Sequence, residues 1–288
     1  MRKLGLLIFV LAAASALPAF ASPKWLASYG SGNVCSRSAP CLGLFGNIAT
    51  ADTFYCVDNI DGPGIVFATG TYISVVCDGA KMFLLFFKFS GVPQSTDITF
   101  QGMVFDCNQS STFSGLSVEG AGTVHVRDVT VRNCLNGINF VPTGGSAKLI
   151  VSDSFFDHNS NAGINIVTSA GATAAVALEN VTSSSNAIGL NFSGGGKVTI
   201  RNSDFSQNGT GVVAKGVIDF RDSSSSGNNI GISAAGSLGK ITLSNSRVFG
   251  NVSGLVKSGA AVIQSFGNNE IYGNTADGAF SSGPLPLK

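Results

Sequence analysis

The chain has 288 residues, of which only 11% are charged; its net charge is +1 and it carries 37 glycines. With 17 Lys and Arg set against 16 Asp and Glu, there is no basic patch to meet nucleic acid and no charge run that reads as a solvated tail. What such a weakly charged chain suits is a solenoid, whose outer faces carry Ser, Thr, Asn and Gly.

Met1-Arg2-Lys3, the apolar run Leu4 to Leu17 and the small-x-small pattern Ala19-Phe20-Ala21 read as a secretory signal peptide cleaved near Ala21. The run is shorter than the roughly 20 residues that a bilayer-crossing helix needs, and no later segment supplies a longer one. A secreted or periplasmic protein without a membrane span is therefore expected. It divides into a signal peptide over 1–21, a cap segment over 22–52, repeats over 53–280 and a tail over 281–288. Within the cap, Leu42 to Ala51 puts Leu44, Phe45 and Ile48 on one side of a short helix that would cover the first sheet edge.

Six cysteines in an exported chain suggest disulfides. Cys35 and Cys41 form the natural local pair. Tyr55-Cys56-Val57-Asp58 and Val75-Val76-Cys77-Asp78 share a pattern 21 residues apart, so two early coils would stack Cys56 on Cys77. The same register brings Cys107 and Cys134 onto adjacent coils with a one-residue offset. Between these pairs lies Met82-Phe-Leu-Leu-Phe-Phe-Lys-Phe89, where strand alternation sends some phenylalanines inward and others outward. An exposed patch there would support self-association through Phe83 and Phe87.

From about Ile98 onward a unit recurs. Leu149-x-Val151-x-Asp153, Val176-x-Leu178-x-Asn180, Val198-x-Ile200-x-Asn202, Ile218-x-Phe220-x-Asp222 and Ile241-x-Leu243-x-Asn245 each carry a second Asn six positions later: Asn159, Asn186, Asn208, Asn228 and Asn251. Glycine then precedes an apolar residue at 137, 163, 189, 211, 231 and 254, in steps of 26, 26, 22, 20 and 23. A fixed motif at this interval marks a solenoid, and a period of two with β-branched apolar positions makes its elements short strands. The fold expected is all-β, a single right-handed parallel β-helix whose neighbouring coils stack about 4.8 Å apart. The recurring Asn fits an inward hydrogen-bonding ladder at a left-handed turn. The C-terminal Gly283-Pro284-Leu285-Pro286 would end strand pairing and lie across the last coil.

Cys35-Ser-Arg-Ser-Ala-Pro-Cys41 with its cap, the Val75-Val76-Cys77-Asp78 coil, the stacked Asx-Ser and Gly-Ile units and the ending Phe266-Gly-Asn-Asn-Glu-Ile-Tyr-Gly-Asn274 together resemble bacterial exported β-helix repeat proteins of the pectate-lyase-like superfold. The resemblance implies the fold over nearly the whole mature chain. It leaves function open, because that superfold hosts lyases, hydrolases, epimerases and binding proteins. Polygalacturonase-like hydrolases combine Asn-x-Asp, Asp-Asp, Gly-His-Gly and Arg-x-Lys on successive coils, a set this chain does not carry. Nor is there the acidic cluster of a calcium-dependent pectate lyase.

Register counting places Asp106, Arg132 and Asp157 in one column, with His158 beside it. Two carboxylates two rungs apart stand about 9.6 Å from each other, near the upper limit for an inverting glycosidase. An arginine between them, however, is what a structural charge ladder contains. A second column, Arg127, Ser152, Glu179, Arg201 and Arg221, faces outward next to His125, and its Arg127, Glu179, Arg201 and Arg221 are candidate contacts for a polysaccharide or surface glycan. No cofactor and no metal site are expected. The sequence therefore suggests a non-catalytic structural, surface-interaction or carbohydrate-binding role, with a divergent polysaccharide hydrolase or lyase as the alternative.

Overall fold

The structure, a computed structural model, describes strand segments at 24–27, 41–42, 46–48, 52–56, 60–61, 66–68 and 72–83, and from 87 to 286 every residue except 110 and 121. Three strands per coil build a parallel solenoid with three faces. In one coil Gly122–Arg127 lies on the first face, Thr130–Arg132 on the second and Asn136–Val141 on the third. The next coil repeats this with Ser146–Asp157, which bends through the first turn, and Ala162–Val167. All of these pairings are parallel and in register. The helical cap expected over 42–51 is not seen among the described residues, which are extended there; Gly46–Ile48 pairs with Val66–Ala68.

Alternation drives every second side chain into one continuous core. On the first face Val124, Leu149, Val176, Val198, Ile218, Ile241 and Ile263 form one buried row, and Phe100, Val126, Val151, Leu178, Ile200, Phe220 and Leu243 form the next. Phe87 belongs to this core too: it is fully buried, with its ring centroid 5.4 Å from Phe100 and 5.5 Å from Phe105. This corrects the expectation that Phe87 serves self-association, since alternation turns Phe87 and Phe89 inward and leaves Lys88 at the surface. The side chain of Phe83 lies outside the described residues.

The two Asx positions of the repeat divide their work differently from the expectation. The first Asx adopts the left-handed conformation itself, with φ of 51° at Asp153, 54° at Asn180 and 47° at Asn202, a region that Asn and Asp tolerate better than other L-residues. The second is the buried ladder, and there the left-handed residue is the one before it: His158, Ser185 and Gln207 at 54–57°, then Gly227 and Gly250. Each ladder amide accepts from the backbone N–H one coil earlier, as Asn186 Oδ1 does from Asn159 at 2.8 Å and Asn208 Oδ1 from Asn186 at 2.9 Å.

Cys56–Cys77 and Cys107–Cys134 are disulfides between adjacent coils, with Cα separations of 4.8 and 4.9 Å. Cys134 occupies the ladder position of its own coil, its N–H donating to Asn159 Oδ1 at 3.1 Å. The expected Cys35–Cys41 pair lies outside the described residues. At the other end the chain folds back over the last coil: Ser281 N–H donates to Ile263 O at 2.7 Å and Leu285 N–H to Ser265 O at 2.8 Å.

Candidate functional site

The second-face column assembles in the register expected. Asp106, Arg132 and Asp157 are direct neighbours on three successive coils. Arg132 Nε donates to Asp106 Oδ2 at 2.9 Å, and Asp106 Oδ1 accepts from Asn133 Nδ2 and from the Asn108 N–H, both at 3.0 Å. Burial alone would push this carboxyl up, but the hydrogen bonds from Asn133, Asn108 and Arg132, with the arginine's charge, outweigh it and hold the group below the ordinary carboxylate range. A carboxyl held ionised in this way is a poor general acid. On the next coil His158 Nδ1 lies 2.7 Å from Asp157 Oδ2, while Asp157 Oδ1 is buried with no hydrogen-bond partner among the described residues.

The sign of the Asp106 shift sets a pH dependence. Because the native value lies below the unfolded one of about 3.9, the group contributes stability above that pH, and the contribution is lost as pH falls through the native value. Asp106→Asn is therefore expected to be less stable than wild type at neutral pH, with the difference shrinking below about pH 4. Urea titrations at pH 7 and pH 3 check this; a pH-independent difference would refute it.

On the first face the strip expected from the repeat is also in register: Arg127, Ser152, Glu179, Arg201 and Arg221 follow one another coil by coil. Two further rows run beside it. Ile150, Ala177 and Thr199 form the middle row, and Lys148, Ala175 and Lys197 the far row. The result is a shallow depression of about 290 Å³ with Ile150, Ala175 and Ala177 on its apolar floor and lysines along one margin. Lys148 and Arg201 have no ion-pair partner among the described residues. Lys197 Nζ and Arg221 both reach Asp219 Oδ2, at 2.6 and 3.2 Å, so Asp219 neutralises the strip at its C-terminal end.

Towards the N-terminal coils the depression continues into a second one of about 280 Å³, bordered by Tyr72, Asp97, Gln101, His125 and Arg127. Tyr72 is 41% exposed and is stacked directly on Asp97, so the face has an aromatic group that the repeat pattern alone does not reveal. His125 Nε2 stands 3.5 Å from Asp97 Oδ1, outside hydrogen-bonding geometry, and that oxygen has no other partner among the described residues. Sequence reasoning missed Tyr72, Asp97 and Lys148. Tyr72 precedes the first clear repeat unit, and the two charged residues look like ordinary outward positions until the strands are aligned. No group of His, Cys, Asp and Glu among the described residues is arranged to hold a metal ion.

This architecture defines a parallel β-helix whose outer faces carry polar columns. Residues 114–276 match the family model described as right-handed β-helix region, and the chain belongs to that family. Among curated proteins the sequence has no match. Among solved structures it is similar in fold to two modules from Azotobacter vinelandii. The mannuronan C-5 epimerase AlgE6 A-module has 14% identity and a TM-score of 0.43 over 76% of this chain and 80% of that one. The AlgE4 A-module has 13% identity and a TM-score of 0.45 over 83% and 89%.

Proposed function

We propose that the protein is an exported, non-catalytic recognition solenoid that binds an extended anionic polysaccharide along its first face. The observation that carries this reading is the apolar floor of Ile150 and Ala177 lying between Lys148 on one margin and Arg201 on the other, two cations without partners among the described residues. A sugar ring has apolar C–H faces and a polar edge. Laid on this floor, a uronate would direct its carboxylate to a margin, where each charge-assisted hydrogen bond is worth about 1.5–3 kcal/mol. Lys148 and Lys197 stand two coils apart on one margin with Ala175 between them, about 9.6 Å at roughly 4.8 Å per coil, a spacing that suits a polymer better than a compact ligand. Tyr72 and His125 extend the same surface at one end.

Export follows from the N-terminal Met1 to Ala21 pattern, and the two disulfides fit an oxidising destination. No helix among the described residues is long and apolar enough to cross a membrane. A hydrolase acting through Asp106, Asp157 and His158 with Asp106 as its general acid needs that carboxyl to hold a proton until the leaving group takes it. Asp106 is held in the opposite state.

The test is the affinity of a hexagalacturonate and a hexamannuronate for wild type and for the double variant Lys148→Ala/Arg201→Ala. At least one is expected to bind wild type, with affinity falling as salt rises, and the double variant should bind at least about tenfold more weakly. Equal affinity of the two proteins, or release of unsaturated or shortened sugars by wild type, would reject a non-catalytic anionic site.

A further inference from the structure

A second concave feature lies off the first face, on the turn between the first and second faces of the C-terminal coils. There the Asx-Ser turns at 202–204, 222–224 and 245–247, with Asn268 and Glu270 of the next coil, line a polar trough of about 520 Å³, within the range of small-ligand sites. Its charged groups are Asp204, Asp222, Arg247 and Glu270, a net charge opposite in sign to that of Lys148, Lys197, Arg127 and Arg201. A polyanion suited to the first face would be repelled here.

The trough is equally unsuited to a cation. Both oxygens of Asp204 are taken by the hydroxyls of Ser206 and Ser224. Asp222 Oδ1 accepts from Asn245 Nδ2 at 2.6 Å, and Arg247 stacks between Ser224 and Glu270, placing a cation beside the remaining carboxylate. What remains for a ligand is a neighbouring guanidinium and carboxylate, Arg247 and Glu270, both exposed and without an ion pair among the described residues, with side-chain amides beside them. Such a set presents donors and acceptors to vicinal hydroxyls. Two residues further along the same strands, Phe249 and Tyr272 stack with centroids 5.4 Å apart and ring planes 5° from parallel, and Tyr272 is 48% exposed. They give the border an aromatic surface for sugar C–H groups. A peptide would want an apolar pocket for a side-chain anchor, and the residues lining this trough are polar throughout.

We infer that this trough is a separate binding site for a neutral oligosaccharide, independent of the anionic strip on the first face. Calorimetric titration with cellohexaose, mannohexaose, laminarihexaose and hexagalacturonate tests it on three proteins: wild type, Arg247→Ala/Glu270→Gln and Lys148→Ala/Arg201→Ala. At least one neutral hexasaccharide is expected to bind wild type and to bind Arg247→Ala/Glu270→Gln at least about tenfold more weakly, the equivalent of one or two lost hydrogen bonds. That variant keeps its hexagalacturonate affinity, its circular dichroism and its Tm. Failure of all three neutral sugars to bind overturns the inference. So does neutral-sugar binding that survives the Arg247 and Glu270 changes, or that is lost instead in Lys148→Ala/Arg201→Ala. Neutral binding by a protein that binds neither hexagalacturonate nor hexamannuronate would sustain the trough while removing the first-face strip.

Discussion

Asn186→Ala is expected to lower the unfolding free energy by about 3 kcal/mol, because it leaves one buried backbone N–H without a partner and removes further hydrogen bonds from the core. Asn186 Oδ1 accepts from the Asn159 N–H at 2.8 Å and from Asn159 Nδ2 at 2.9 Å, while its own Nδ2 donates to Phe156 O at 3.1 Å. Alanine leaves that N–H in the core without a partner, at roughly 1–3 kcal/mol, takes one of its bonds from a carbonyl whose strand still pairs with the next coil, and opens a small cavity besides. The side chain is buried, so bulk water cannot take over. Urea unfolding followed by circular dichroism measures the effect. A loss below about 1 kcal/mol would mean that ordered water replaces the amide and that the ladder is not what holds the coils in register.

Gly211→Ala should cost about 3 kcal/mol, at the upper end of what overpacking does. Gly211 is one of the glycines recurring at 137, 163, 189, 211, 231 and 254, and its backbone runs against the next coil. A Cβ there would collide with Ser225 Oγ and stand 2.6 Å from Gly231 O and 3.0 Å from Asn228 Nδ2. Both Ser225 and Asn228 are fixed by hydrogen bonds of their own: Ser225 Oγ donates to Gly231 O at 2.8 Å, and Asn228 Nδ2 donates to Phe205 O at 3.0 Å. Neither Ser225 nor Asn228 can yield without breaking one of these bonds, and Gly231 O is backbone. Gly144 serves as the control, since nothing lies within 4 Å of a Cβ placed there; Gly144→Ala should leave Tm unchanged. Equal Tm values for the two variants would remove close approach as the reason for this glycine column.

The repeat carried most of the register. Asp106, Arg132 and Asp157 stack as counting four positions beyond the first Asx site implies, and Arg127, Ser152, Glu179, Arg201 and Arg221 stack in the same register. Column membership was therefore legible in spacing alone, as were Cys56–Cys77 and Cys107–Cys134. Spacing does not say which neighbours flank a column. The importance of Lys148 and Ile150 comes from the rows lying side by side across a face, a relation that involves partners 27 positions away, Ala175 and Ala177, and that no local pattern displays. The trough escaped notice for another reason. Its Asx-Ser residues are turn formers first, and Asn202-Ser203-Asp204 has the Asn-x-Asp spacing without the other three hydrolase elements. Phe87 was misjudged because Met82 to Phe87 is unbroken apolar sequence, and Lys88 sets the phase only for the separate strand that begins at Phe87.

The Cys134 position, where a disulfide stands in the place of a ladder asparagine, gives the solenoid a direction. Coils on its N-terminal side are stapled in two pairs, by Cys56–Cys77 and by Cys107–Cys134, whereas coils on its C-terminal side are joined by amides from Asn159 to Asn274. In a linear array of nearest-neighbour couplings, fraying starts at the end with the weaker links. Pulled along its length or challenged with a protease, the protein would unzip from the 253–286 end and stop at Cys134, leaving a stapled stub whose size reports where the covalent links begin.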